Sequence, residues 1–381
     1  MDNKYNISNL SFKMHTISPI HIGSGEMLET SNYVLREDNG KYYGYVYSIN
    51  QFIQLLDAAE RQEYLEYCRN LFKQQNNCVT DLIKYRNYFD RYFNYDIHKN
   101  AVKYTTNIPS YELYNNITTK YRNSQNSNNV FNQLQIKSIY KDSKNTPYIP
   151  GSSLKGMIRH AFIKQNQIKN NKQRYYMNEY ENKDFFSALF SMLLVSDSIN
   201  NLNSDISIMY IKHLYINGLD IQQNKKNYNR PYNGQSSYAE FIPSNIDGFN
   251  LNIKVQDKTI NNKDERAYDT FIKSFDTHQS FINMLNQYFS DKVNKIYNMY
   301  KTYFGEKHEF VSFIDRFRGK YGDKVAFINI GRYGGLFIKD GREKYKLKYM
   351  RHAATINFKE NDVLQLDTVF PIGWVAVYPE E

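Results

Sequence analysis

The sequence has little cysteine. Cys68 and Cys78 are the only two in 381 residues, and both fall inside a helical pattern. Such a pair makes neither a disulfide framework nor a CxxC zinc pair, so a reducing compartment is expected. No run of about 18 apolar residues occurs, which argues against a helical membrane span and a membrane partner. Met1 to Leu10 is polar and holds no apolar signal core, so the chain is expected in the cytoplasm. Catalytic signatures are also missing. Lys307-His308-Glu309-Phe310 does not complete an HExxH. There is no GxSxG nucleophile elbow, EF-hand or dinucleotide GxGxxG, and the eight histidines are scattered without metal-ligand spacing. No metal and no cofactor are expected.

What the sequence does have is positive charge and aromatic rings. Lys and Arg total 49 against 39 Asp and Glu, a net charge of +10. A surplus of that size suits a polyanionic partner, because each neutralised phosphate releases a condensed counterion. Composition alone does not separate nucleic acid from an anionic surface. The 36 Tyr and 24 Phe could stack on bases, but Lys, Asn, Tyr and Ile are abundant together, as an AT-rich genome would produce.

Hydrophobic periodicity organises the chain. Leu10, Phe12 and Met14 alternate with polar residues as a half-buried strand that ends at Pro19. His21-Ile22-Gly23-Ser24-Gly25 reads as a loop. Asn32 to Arg36 and Tyr42 to Tyr47 flank Asp38-Asn39-Gly40, a hairpin signal because both turn positions favour positive φ. From Gln51 to Tyr104 the period becomes helical, with Phe52, Leu55, Leu56 and Ala59 on one face. Asn115 to Asn129 and Gln222 to Ser237 are polar and read as loops.

Leu154, Ile158, Ala161 and Phe162 form a helical stripe after Pro150, with Ser152 or Ser153 placed for an N-cap. Leu251, Ile253 and Val255 alternate as a strand. Ala267 to Phe317 is mostly helical, with Phe271, Phe275, Ile282, Leu285, Ile296 and Tyr300 as candidate core. Strands return at Val325 to Ile330, Leu336 to Ile338, Thr355 to Phe358 and Trp374 to Tyr378. Interleaved helices, hairpins and short strands favour an α+β fold built on antiparallel sheets with large helical insertions.

Four segments follow. Residues 1–50 plus 131–255 form an N-terminal module, and 51–130 a helical insertion with a flexible loop. Residues 256–322 are a helical region, and 323–381 are C-terminal strands that complete a second module.

Three glycine-rich constellations could carry function. In Gly151-Ser152-Ser153-Leu154-Lys155-Gly156-Met157-Ile158-Arg159, small residues open a helix whose free N–H groups and dipole make an anion site. Lys155 and Arg159 lie four apart on the face opposite Leu154 and Ile158, where one phosphate could meet both. The same residues also suit an ordinary capped helix with a solvated basic face. In Gly331-Arg332-Tyr333-Gly334-Gly335, glycines let a backbone approach a ligand, Arg332 and Lys339 add charge, and Tyr333 adds a stacking face. A tight hairpin turn is the plain alternative. In His21-Ile22-Gly23-Ser24-Gly25, His21 could titrate as a general base, or serve as a structural residue or RNA contact.

Together these motifs resemble the RAMP superfamily of CRISPR proteins. Ser18-Pro19-Ile20-His21-Ile22-Gly23-Ser24-Gly25 resembles its N-terminus, and Tyr148-Ile149-Pro150-Gly151-Ser152-Ser153-Leu154-Lys155-Gly156 its central motif. Gly331-Arg332-Tyr333-Gly334-Gly335-Leu336-Phe337 resembles its glycine-rich loop, and Phe370-Pro371-Ile372-Gly373-Trp374-Val375 the close of several members. Length and ending are most similar to the subtype III-A (Csm complex) subunit that caps the 3′ end of the guide RNA.

The resemblance implies ferredoxin-like (RRM-like) modules. It implies crRNA held by His21, Gly23, Ser24, Gly25, Ser152, Ser153, Lys155, Arg159, Gly331, Arg332, Tyr333, Gly334, Gly335 and Lys339. It also implies a neighbouring backbone RAMP subunit and a small helical subunit as partners, contact with target RNA only indirectly, and a host nuclease as a candidate for 3′ trimming. Backbone subunits that cut target RNA place an aspartate where Ser31 precedes Asn32-Tyr33-Val34 here. That departure favours an RNA holder over an RNA enzyme. The rival readings are a metal-independent endoribonuclease using His21, and a subunit gripping the 5′ handle.

Overall fold

The computed structural model describes residues 8–73, 90–109, 111, 113–115, 117–118, 135–168, 183–200, 206–217, 237–256, 265–331, 344–351 and 369–380. The chain opens with strand β1 (Asn9–Thr16), whose Leu10, Phe12 and Met14 turn inward as their alternation requires. Next come β2 (Gly23–Leu28) and the hairpin of β3 (Tyr33–Asp38) with β4 (Lys41–Tyr47). Asn39 and Gly40 adopt φ of 50° and 73°, the geometry that the Asn-Gly step was expected to supply.

Helices α1 (Ile49–Leu55), α2 (Ala58–Lys73) and α3 (Tyr95–His98) follow. Ser48 caps α1 by accepting from the Gln51 N–H. Then comes β5 (Val102–Ile108), where the helical reading of residues 51–130 fails: β5 pairs with β4. Its Thr106 and Ile108 are buried on the sheet side, so tertiary pairing overrides the local pattern. Of the stretch from Asn115 to Asn129, residues 115, 117 and 118 are helical. Ile117 and nearby Leu113 are buried there. The rest of that expected loop, and nearly all of Gln222 to Ser237, lie outside the described residues.

The middle of the chain gives β6 (Ile136–Ile139), β7 (Tyr148–Ile149), α4 (Gly151–Ile168) and α5 (Lys183–Ser191). It continues through β8 (Leu193–Val195), β9 (Ser198–Ile199), β10 (Ile206–Asn217), β11 (Ser237–Phe241) and β12 (Phe249–Val255). Helices α6 (Glu265–Ser274), α7 (His278–Phe304) and α8 (Glu309–Tyr321) realise the expected helical region. Phe271, Phe275, Ile282, Leu285, Ile296 and Tyr300 are all buried in it. The chain closes with β13 (Ala326–Asn329), β14 (Lys344–Arg351), β15 (Val369–Pro371) and β16 (Trp374–Pro379). The strands expected at Leu336 to Ile338 and Thr355 to Phe358 lie outside the described residues.

Two large sheets, with a two-stranded antiparallel pair of β7 and β9 beside them, organise these elements into an α+β architecture. The first has the order β13-β16-β1-β12-β8 and is antiparallel throughout. Helices α4 to α8 pack on it through one continuous apolar core; Phe12 of β1, for example, meets Phe281 of α7 with ring centroids 4.9 Å apart. The second sheet has nine strands along the path β2-β6-β11-β10-β5-β4-β3, with β14 and β15 attached beside β10. Its pairs are antiparallel except β10·β5 and β11·β6. Helices α1 to α3 cover one face near β3 and β4, and the Leu113–Ile117 turn covers the other.

The C-terminal strands are divided between the two sheets. β13 and β16 join β1 in the first sheet, while β14 and β15 join the second. Hydrogen-bonding edges left by the N-terminal strands are what they fill.

Candidate nucleic-acid interface

The helix after the central motif begins at Gly151 rather than after a serine cap. Pro150 occupies the cap position, and its carbonyl accepts from the N–H groups of Ser153 and Leu154. Ser152 and Ser153 therefore stand in the first turn, Ser152 exposed and Ser153 half-buried. The Gly151 N–H donates to the Asp197 carboxylate at 2.6 Å, so part of the anion-seeking helix start is satisfied from within the protein. A Cβ on Gly151 would fall 2.3 Å from the Val195 carbonyl oxygen. The glycine is thus required by the close approach of the 195–197 turn.

Leu154, Ile158, Ala161 and Phe162 are wholly buried, as the stripe predicts. Lys155 and Arg159 are both half-buried. The Arg159 guanidinium lies 5.6 Å over the Phe190 ring. It is not on an openly solvated face, because residue 159 sits one step around the helix from Ile158, towards α5.

The first glycine segment is a strand edge rather than a loop. β2 pairs with β6, with a register shift between Gly23 and Met27. Gly25 has φ of 92° and open space around it, while Ser24 Oγ donates to the Ser138 carbonyl at 3.4 Å. His21 is 1% exposed. Its Nδ1 donates to the Glu240 carbonyl at 2.8 Å, and its ring packs on Phe241.

His21 is also where two of the glycine segments meet. A Cβ on Gly23 would approach His21 Nε2 to 3.0 Å, and one on Gly331 would stand 2.4 Å from the His21 carbonyl oxygen. Gly331 has φ of 88°, a conformation suited to glycine. Arg332, Tyr333, Gly334, Gly335 and Lys339 lie outside the described residues. Leu154 of the Gly151 segment shares the apolar core of the first sheet with Ile22 and Ile330, which flank this junction.

Beneath this junction sits a polar cluster that sequence reading missed. Glu240 is wholly buried. Its carboxylate accepts from Tyr104 Oη at 2.7 Å, Ser138 Oγ at 2.7 Å and the Ile139 N–H at 3.2 Å, and it pairs with the Lys141 ammonium. Lys141 Nζ lies 4.4 Å over the Tyr104 ring. Burial pulls the Lys141 pKa down against the pull of Glu240, and raises that of Tyr104. The only signal was an acid inside the apolar run Tyr238-Ala239-Glu240-Phe241-Ile242; its partners are 99 to 136 residues away.

Near Ser31, Glu29 is also engaged, with both carboxylate oxygens accepting from Gln135 Nε2 at 2.9 and 3.0 Å. Among the described residues no group of three or more His, Cys, Asp and Glu could hold a metal ion. None of the described helices is long and apolar enough to cross a membrane.

Comparison with known proteins gives concordant matches. The CRISPR system Cms protein Csm5 of Streptococcus thermophilus is 26% identical over 219 residues, 52% of this chain and 53% of that protein. This match spans about half the length of that relative. The Csm5 of Methanocaldococcus jannaschii is 21% identical over 362 residues, covering 87% of this chain and 72% of the relative. In fold, the chain is similar to one in the cryo-EM structure of the type III-A Csm-crRNA-target RNA ternary complex. That match has a TM-score of 0.50 and 14% identity over 97% of this chain and 99% of the other. The crystal structure of T. onnurineus Csm5 matches with a TM-score of 0.50 and 15% identity, over 95% and 99% of the two chains. The RAMP superfamily model matches residues 13–296, from β1 into α7, and the chain belongs to the RAMP superfamily.

Proposed function

We propose that this protein is a non-catalytic, crRNA-binding subunit of a type III-A Csm effector complex that caps and holds the 3′ part of the guide RNA. It docks on a neighbouring backbone RAMP subunit, contacts the small helical subunit, and meets target RNA only through the guide. A host nuclease that trims the 3′ end is a further partner in this reading.

The observation that carries the proposal is the junction at His21. There the Gly23–Gly25 edge and the start of the Gly331 segment are locked together, presenting two backbone-rich segments at one place. Exposed glycine backbone can approach phosphates closely, and the net charge of +10 supplies long-range attraction. Lys155 and Arg159 add cations on α4. A holding role, rather than cleavage, is supported by the burial of His21 and the commitment of its Nδ1 to a carbonyl. A general base has to reach the proton it removes.

The test replaces Lys155 and Arg159 together by Ala and follows RNA binding across a salt series. Weaker binding with a shallower salt dependence is expected. Unchanged affinity and slope would contradict the assignment.

A further inference from the structure

The second sheet carries a cleft that none of the three glycine-rich constellations lines. It has a volume of about 630 Å³ and lies at the tip of the β3–β4 hairpin, beside the end of β5. A volume of that order suits one small ligand or a single nucleotide. Tyr43 of β4 stands directly opposite Asn107 of β5 in the antiparallel register. With side chains alternating between faces, Lys41 and Tyr43 share one face with Thr105, Asn107 and Pro109. Tyr42 and Ile108, opposite each other on the other face, pack into the core with Leu113 and Ile117. One face is therefore closed, and the other is open at this end of the sheet.

The chemistry of the open face is specific. Lys41, Thr105 and Pro109 are exposed, and Tyr43 and Asn107 are half-buried. Among the described residues, the Lys41, Thr105 and Asn107 side chains make no hydrogen bond or ion pair, whereas Arg36, the neighbouring cation, is engaged by Asp90 and by main-chain carbonyls. The Tyr43 ring contacts Tyr45 at 6.2 Å, and Tyr45 contacts the 47% exposed Tyr95 at 4.9 Å. An aromatic row thus leads out of the cleft.

We infer that this cleft binds a base of single-stranded RNA: Tyr43 stacks on the base, the Asn107 amide and Thr105 hydroxyl read its edge, and Lys41 meets the adjoining phosphate. An amide offers both a donor and an acceptor, which base edges require. An apolar protein segment would leave those groups unpaired at a cost, so RNA is the favoured occupant. The inference rests on the RNA-binding reading above, and it adds a site that shares no residue with the glycine segments.

The test uses the full chain and a fluorescein-labelled single-stranded RNA carrying photoreactive iodouridine. Irradiation of the wild-type complex should attach RNA to the tryptic segment 42–61, which contains Tyr43. Tyr43→Leu should weaken binding by roughly tenfold with an unchanged salt slope, since a stack carries no counterions. Tyr43→Phe should restore wild-type affinity, because the ring is what stacks. Wild-type affinity in Tyr43→Leu, or crosslinks only outside residues 42–61, would overturn the cleft while leaving the broader function standing. No RNA binding by the wild type would sink both.

Discussion

At the scale of the residue, close contacts around His21 decide what the site tolerates. Gly331 has a left-handed φ and no room for a methyl group against the His21 carbonyl. Gly331→Ala should therefore lower unfolding stability by at least about 1–3 kcal/mol. Urea titration would read the loss, and an unchanged midpoint would refute it. Lys292 offers a pH test. Its ammonium sits 3.1 Å over the Tyr288 ring. Burial and the charge of Lys164 pull its pKa from 10.5 down to about 8. Between those two values the unfolded state holds more protons than the folded one, so this group makes stability rise as pH rises through that window. Lys292→Met should remove that rise and leave the variant relatively more stable below pH 8. Thermal unfolding of both proteins across the range measures the difference. Glycine segments were legible as motifs because chemistry marks them locally. Glu240, Lys141 and Tyr104 were not, because no local pattern announces an ion pair assembled from strands far apart in sequence.

At the scale of the element, helix α4 is built as a joint. Its start is held by the Asp197 carboxylate and its backbone lies against the 195–197 turn. Asp197→Ala should cost about 1–2 kcal/mol, the size of a lost charge-assisted cap. The fall should appear in thermal unfolding with the helix content of the native state preserved. Periodicity exposed β1, the Asn39-Gly40 hairpin, β12, the long helices and β16, since each buries one regular face. It failed at β5, where Val102 to Ile108 continues an apparently helical stretch and only pairing with β4 makes it a strand. It also passed over β14, whose Lys344–Arg351 run is rich in Lys and Tyr but pairs along its whole length with β10. The serine cap expected at the start of α4 is absent because the helix begins earlier, after Pro150, where the Asp197 carboxylate from another segment satisfies the Gly151 N–H, a partner that no sequence window contains.

At the scale of the whole molecule, the two sheets meet at Tyr104, whose ring packs against both major cores while its hydroxyl serves Glu240. The two modules expected from the sequence are thus interlocked, and the C-terminal strands belong to both sheets. This arrangement keeps the His21 junction at a fixed place, which suits a subunit that holds one end of an extended RNA. The central claim is that holding role. The most direct measurement assembles the Csm complex with labelled guide RNA, with and without this chain, and exposes each to a 3′ exonuclease. The guide's 3′ end should be protected only when the chain is present. Equal digestion in both assemblies would contradict it.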